Sequence, residues 1–274
     1  LTYYDGKDVR LFNRRQNERT MQYPELLEID RYCSSSSVIL DGEVIALYNS
    51  KPSFHEVMRR DGVRKAENIR QAVSSISITY MIFDVLYCNG KWVNQLPLYK
   101  RHEIMKQIII QQQDIQLVES FPNPKELYEV IKEHDMEGIV CKDVTSKYII
   151  GGKDKRWQKV KNYKDITAYI GGASLQNGIV NSVLLGLYDN KGQFWYIGNA
   201  GSGRLTDEEL RGITKRIKVG RMPYINKPEQ NKGVVWVKPE ISVKVKFIEW
   251  TKNRTLRQPT IQAVVDTETD EYVF

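Results

Sequence analysis

Residues 137–143 read EGIVCKD, and a little further on residues 156–161 read RWQKVK. In the first stretch Glu137 precedes a glycine and opens an apolar run, which predicts a buried strand over Gly138–Lys142. A carboxylate at such a position commonly faces a cavity or a metal. In the second stretch, strand alternation puts Lys159 and Lys161 on one face and Val160 on the other. Two ammonium groups side by side repel, and a fold keeps them together most readily when an anion lies between them. A phosphate is the natural candidate. Taken alone, the same run also describes an exposed basic strand.

Working outward, DGE at 41–43 repeats the pattern of an acidic residue beside glycine inside an apolar run, Val38–Leu47. Either carboxylate alone also reads as a turn residue. Two of them at strand positions with a lysine pair suit Mg²⁺ and a nucleotide phosphate chain. Phe83, in MIFDVL, sits in a long apolar strand over Ile76–Tyr87. It reads either as core or as an aromatic face for a purine base. Helices are expected over Ser53–Arg60, Leu98–Gln112 and Pro124–Glu133, the last opened by Asn123-Pro124. The chain start alternates around Asp5-Gly6, a strong hairpin signal between Leu1–Tyr4 and Val9–Phe12.

Near Asp165 the texture changes: glycines become frequent, strands shorten, and only Asp207–Ile217 looks helical, with Thr206 or Asp207 as its cap. In Ile241–Phe247, the residues Ile241, Val243, Val245 and Phe247 share one face, and Ser242, Lys244 and Lys246 the other. Short strands with turn signals and one helix predict a small closed barrel of five strands. A length of 274 residues agrees with two domains, and a net charge of +7 fits a polyanionic partner. No apolar run reaches the ~18 residues that span a bilayer, and no signal peptide is legible. The three cysteines and three histidines are scattered, which argues against a zinc site, a disulfide framework or a His-based triad.

Read in order, RRQNE (14–18), DGE (41–43), FDVL (83–86), EGIVCK (137–142) and RWQKVK (156–161) resemble the nucleotidyl-transfer motifs of ATP-dependent DNA ligases. GNAGSG (198–203) and residues 235–261 resemble the opening loop and closing strands of their oligonucleotide-binding barrel. YPELL (23–27) and PSFHEVMRR (52–60) are similar to the small bacterial and phage members, including ligase domains of end-joining enzymes. The resemblance implies an α+β chain: a nucleotidyltransferase (ATP-grasp-like) domain over 1–164 and an OB-fold barrel over 165–274. It also implies that Tyr3-Tyr4-Asp5-Gly6 is a hairpin turn and not an altered K-x-D-G motif, so the nucleotidyl lysine is expected upstream of Leu1.

By the same resemblance, Lys159 and Lys161 hold the AMP phosphate, and Glu137 binds Mg²⁺. Glu43 binds the ribose or shares the metal, Arg14 contacts the ribose and then the 5′-phosphate, and Phe83 stacks on adenine. Arg257 orients the leaving pyrophosphate. Here the chain departs from the family pattern: where an aspartate-lysine pair often follows that arginine, it has Gln258-Pro259-Thr260 and then Asp266-Thr267-Glu268. Lys153, Lys155, Lys244 and Lys246 are assigned to the DNA backbone. The implied cofactors are ATP, as AMP donor, and Mg²⁺. The implied partner is nicked double-stranded DNA, bound by a monomer in the cytoplasm of a bacterial or phage-infected cell. An RNA ligase or capping-type nucleotidyltransferase shares the core motifs, and a non-catalytic nick-binding clamp is the reading outside enzymes.

Overall fold

The computed structural model describes residues 1–48, 51–152, 155–229 and 232–265. Lys153 and the Asp266-Thr267-Glu268 run lie outside them. Packing divides the chain into two compact units: Leu1–Pro124 with Val140–Gln158, and Lys125–Ile139 with the described part of Lys159–Phe274. The division is discontinuous, whereas the sequence reading sets one break between 164 and 165.

The first unit is built on a sheet. Its strands are β1 (Thr2–Tyr4), β2 (Val9–Leu11), β3 (Val38–Tyr48), β4 (Lys51–Pro52), β5 (Ile78–Cys88), β6 (Lys91–Trp92) and β7 (Ile115–Leu117). Their order is β2-β1-β3-β5-β6, with β4 on β3 and β7 on β5. The expected hairpin is present: Asp5 Oδ1 accepts from the main-chain N–H groups of Lys7 (2.9 Å) and Asp8 (2.8 Å) between β1 and β2. The strand β2 ends at Leu11, one residue short of the expected Phe12, and Arg14 stands in the turn beyond it. Three α-helices belong to this unit among the described residues, α1 (Phe54–Asp61), α2 (Ala66–Ser75) and α3 (Leu98–Ile108), whereas α4 (Pro124–Glu133) lies in the second unit from Lys125 onward. The α2 helix was not expected from the sequence. The α3 helix stops short of Gln112 because Ile109 turns extended, at φ −99° and ψ 124°, and bridges Cys33. Consecutive β-branched isoleucines favour that change.

The core of this unit gathers Leu26, Ile29, Val38, Leu40, Ile82, Val85 and Ile115, all fully buried. One charged pair is sunk beside it. Arg101 of α3 donates to both Asp84 oxygens, at 2.6 and 2.8 Å, and neither side chain is exposed.

Next come β8 (Gly138–Lys142) and β9 (Trp157–Lys161), a two-stranded sheet whose strands both run across the division between the units. The buried strand expected at Gly138–Lys142 is only partly covered, with Val140 49% exposed, because its single partner leaves it without a second layer.

The second unit closes a barrel. Its strands are β10 (Lys164–Gln176), β11 (Ile179–Tyr188), β12 (Phe194–Gly201), β13 (Val234–Trp236), β14 (Ser242–Phe247) and β15 (Thr260–Val265). The order β11-β12-β15-β14-β10 returns to β11 through a direct β10–β11 pairing, which makes a closed five-stranded ring with β13 added outside on β10. Its inner core includes Ile170, Val183, Leu185, Ile197, Val243, Val245 and Ile261. The helix α5 (Asp207–Arg216) opens on a capping box: Thr206 Oγ1 accepts from Glu209 N (3.2 Å), and Glu209 accepts from Thr206 N (2.7 Å). On β14 the expected alternation holds, except that Ser242 is buried, its hydroxyl donating to Val265 O at 2.9 Å. Outside the barrel, Phe194, Tyr224 and Leu184 form a second small core.

Candidate active site

In the first unit, DGE lies inside β3, opposite β5, so Asp41 and Glu43 occupy strand positions and not a turn. Gly42 is there for close approach: a Cβ on it would lie 2.5 Å from the Tyr80 ring and 2.7 Å from Met81 O. That contact holds β3 against β5 and leaves Glu43 exposed on the strand. Asp41, two residues back along the strand and on the same face, is half-buried and accepts from the Tyr148 hydroxyl at 2.6 Å. Burial raises the Asp41 carboxyl above its ordinary value and also pushes the Tyr148 hydroxyl up. Arg14 is exposed in a tight turn in which Asn13 Oδ1 accepts from Arg15 N (3.0 Å) and Asn17 N (3.1 Å). The turn presents the guanidinium without fixing it.

Phe83 is half-buried on β5. Over its ring, at 4.6 Å from the centroid, stands the Lys142 ammonium, which also lies 4.2 Å from the Trp157 ring centroid. Burial lowers the Lys142 pKa, while Asp84 and Asp41 oppose that shift. Lys142 and Trp157 are the functional candidates that motif reasoning passed over, although both stand inside the quoted EGIVCK and RWQKVK runs. The available signal was a lysine closing an apolar strand.

In the second unit, Lys159 and Lys161 share one face of β9. Lys159 is exposed; Lys161 is half-buried and donates to Gln258 Oε1 at 2.7 Å. Neither lysine pairs with a carboxylate among the described residues. Gly138 explains how β9 is held: its φ is +146°, and a Cβ there would sit 2.3 Å from Val160 O and 2.8 Å from Lys161 Cα. We expect Gly138→Ala to destabilise the protein by more than about 1 kcal/mol. The check is a lowered urea midpoint, and an unchanged midpoint would mean that the strand pair has slack.

Glu137 and Arg257, 120 residues apart in sequence, meet directly: Arg257 Nη1 donates to Glu137 Oε2 at 3.0 Å and to Glu249 Oε1 at 2.8 Å. A tight loop presents the arginine, with Arg257 N bonded to Glu249 O and Gln258 in the left-handed region at φ +52°. A non-glycine residue held there is strained, as often happens at a working site. Glu249 and Gln258 are therefore partners that the motif reading did not supply. Tyr163, 41% exposed, has the Lys161 and Lys246 ammonium groups 5.9 and 5.8 Å from its ring centroid. Lys244 and Lys155 are exposed.

Among the described residues no three His, Cys, Asp or Glu side chains gather as a metal cage. Glu43 is an exposed single carboxylate, and Glu137 is an exposed carboxylate paired with Arg257. That donor type suits a Mg²⁺ ion held largely by substrate phosphates.

A mixed α/β unit, a lysine pair on an open strand, and a closed five-stranded barrel with one helix together define a nucleotidyltransferase carrying an OB-fold. Comparison with known proteins narrows this class. Residues 2–161 match the family model described as ATP dependent DNA ligase domain, and residues 176–266 match ATP dependent DNA ligase C terminal region. The chain belongs to the ATP-dependent DNA ligase family. It is 30% identical over 263 residues to a DNA ligase of Thermococcus fumicolans, covering 91% of this chain and 45% of that protein. The chain thus spans about half the length of the curated relatives it matches. In fold it resembles the ligase domain of LigD from M. tuberculosis (TM-score 0.51, 24% identity, 100% of this chain and 88% of that one). It also resembles a structure from work on DNA binding by Lig E DNA ligases (TM-score 0.57, 15% identity, 96% and 88%). No helix among the described residues is long and apolar enough to cross a membrane.

Proposed function

We propose that this chain carries the strand-joining chemistry of an ATP-dependent DNA ligase that seals nicks in duplex DNA. The observation that carries the reading is the Lys159–Lys161 pair, two cations on one strand face with no carboxylate partner among the described residues. In the joining step the DNA 3′-hydroxyl oxygen forms a bond to the adenylated 5′-phosphorus, and the phosphoanhydride bond to AMP breaks. The hydroxyl proton passes to solvent and AMP leaves as an anion. Negative charge crowds around phosphorus throughout, so fixed cations provide much of the catalysis.

Lys159 and Lys161 hold the bridging phosphates, and Arg14 approaches the 5′-phosphate. Glu43 binds the ribose, and Phe83 is the platform for adenine. Glu137 and Glu43 are the carboxylates that would hold Mg²⁺, which when bound supplies further charge neutralisation at the phosphates. Arg257 is the candidate for the pyrophosphate of ATP; its present partners, Glu137 and Glu249, are what it would release. Lys153, Lys155, Lys244 and Lys246 contact the DNA backbone. A domain break at 164/165 is supported by the two family models, which end and begin on either side of it. The protein acts as a monomer in the cytoplasm of a bacterial or phage-infected cell.

Because phosphate contacts dominate this interaction, affinity for nicked duplex should fall about a thousandfold between about 50 and about 200 mM salt, with slight sequence preference. Fluorescence anisotropy measures it, and binding flat in salt would contradict the reading. Function is tested by offering 5′-adenylated nicks whose 3′-hydroxyl strand is DNA or RNA, on an otherwise identical duplex. Preferential sealing of the DNA strand supports a DNA ligase; preference for the RNA strand supports an RNA ligase, and binding without sealing supports a clamp.

A further inference from the structure

A second group of cations stands on the barrel, away from the lysine pair. The end of α5 and the segment after it read KRIKVGR (215–221), four basic residues with no carboxylate among them. Lys215, Arg216 and Lys218 line an open hollow of about 400 Å³, whose wall is completed by Ile217, Glu240 and Ile241. Two extended stretches pair beside it: Gly220 N donates to Trp236 O and Lys238 N to Lys218 O, both at 2.9 Å, and Val219 bridges Val237. Lys238 is thereby laid across Gly220, where a Cβ would lie 3.4 Å from Lys238 Cγ. Among the described residues Glu240 is the one carboxylate of the lining. It accepts from Lys218 at 2.7 Å, and that bond, with Lys238 adding to it, holds its carboxyl below the ordinary value. Cations in the last turn of a helix complement its dipole, which accounts for Lys215 and Arg216. It does not account for Lys218 and Lys238, which lie beyond the helix. Four exposed cations around one exposed carboxylate leave an excess of positive charge, and an anion relieves it.

The wall of the hollow ends at Ile241, where β14 begins. The outward lysines of β14, Lys244 and Lys246, stand about 6.6 Å apart along the strand, close to the separation of successive phosphates in a nucleic acid. Lys246 in turn shares the Tyr163 ring with Lys161, at 5.8 and 5.9 Å from the centroid. One line of cations therefore runs from the lysine pair along β14 to the hollow. From the rise of the strand its length is about 25 Å, or about seven base pairs of duplex. A free anion would need the hollow alone; a continuous line fits a polyanion. We propose that the hollow at the end of α5 holds backbone phosphates of the duplex about seven base pairs from the nick, extending the DNA footprint along the barrel. This inference rests on the reading of Lys161 at the reacting phosphate and of Lys244 and Lys246 at the DNA backbone.

The test is a double-mutant cycle between protein and DNA backbone, read by fluorescence anisotropy across a salt series. On one arm or the other of a nicked duplex, the phosphates about five to nine base pairs from the nick are replaced by neutral methylphosphonates. A control duplex carries the same replacement about fourteen to eighteen base pairs away. The wild-type chain is expected to lose about tenfold in affinity when one of the two arms is neutralised, and nothing on the control. Its slope of log affinity against log salt is expected to flatten by about one to two, as for one or two lost phosphate contacts. Lys215→Gln combined with Lys218→Gln is expected to show those losses on the unmodified duplex and no further loss on the neutralised arm. Glu240→Gln, which removes the opposing charge, is expected to bind the unmodified duplex more tightly, a gain that misfolding cannot imitate. Melting temperatures of all variants establish that they are folded. Losses from the variant and from the neutralised arm that multiply, or a wild-type chain indifferent to both arms, would overturn the proposal. So would a control weakened as much as the neutralised arm, which means long-range attraction without contact. Lys244→Gln combined with Lys246→Gln separates the two readings. If affinity for the unmodified duplex survives it unchanged, the DNA path along β14 falls and the hollow's role with it. If it weakens binding while the hollow variants do nothing, only the role of the hollow falls.

Discussion

Lys159→Ala is expected to slow the joining of a pre-adenylated nick by at least ~10²-fold, the typical cost of removing one preorganised charge from a developing anion. The measurement is single-turnover joining with DNA already saturated, so weaker binding does not enter the rate. Lys159 is exposed on β9 and carries no structural partner among the described residues, so its removal should leave the fold intact. A loss confined to DNA affinity, with the joining rate preserved, would place Lys159 on the backbone track instead of at the reacting phosphate. Lys161→Ala is less clean, because Lys161 is bonded to Gln258 and its loss also frees that loop.

The largest expected effect on stability comes from Arg101. Its guanidinium, fully buried, holds both oxygens of Asp84 and also donates to the Leu96 and Ser146 carbonyls. One side chain thereby ties α3 to β5 and to the segment after β8. Arg101→Met strands a buried carboxylate, and breaking such a pair from one side costs about 3–5 kcal/mol. Against a typical total of about 5–15 kcal/mol, that is enough to bring the fold near its threshold. Urea denaturation reads the loss directly. Asp84→Leu combined with Arg101→Met is expected to cost less than the sum of the two single changes, since no charge is then left unpaired. An additive pair would mean that the two groups do not depend on one another.

The sequence was readable where the local signal was complete. The α4 helix matches its expected range, Pro124–Glu133, because Pro124 marks the first turn and an apolar stripe follows. The β8 strand likewise occupies Gly138–Lys142, and Thr206 caps α5 through its box with Glu209. The barrel was legible from turn signals and the alternation on β14, but its strands are not the short ones expected, β10 having 13 residues and β11 having 10, and its closure depends on the parallel Gly201–Thr260 pairing between distant segments. What escaped was non-local or weakly marked. The α2 helix, AENIRQAVSS, has no side-chain cap on Lys65 and few apolar positions, so nothing announces its start. The burial expected of β8 followed from its composition, but burial depends on what covers a strand, and composition does not report that.

The site shows the same limit. Motif order picked out Glu137, Lys159, Lys161 and Arg257 as single residues. The Glu137–Arg257–Glu249 triangle and the Lys161–Gln258 bond need a loop strained at Gln258, which no motif encodes. Lys142 closes a quoted motif, and its place over the Phe83 and Trp157 rings depends on two other strands that the motif does not report.

The central claim, that this chain carries the joining chemistry of a DNA ligase, is tested most directly with a duplex bearing a single 5′-adenylated nick. Such a substrate needs no lysine–AMP step, so it isolates the chemistry assigned to Lys159 and Lys161. The chain is incubated with this duplex and Mg²⁺, and both the joined strand and the released AMP are quantified. Joined strand and AMP should appear in equal amounts, and neither should form on the same duplex when the 3′-hydroxyl is replaced by hydrogen. Tight, salt-sensitive binding with no joined strand, by a folded chain at saturating DNA, would contradict the claim and leave a nick-binding protein in its place.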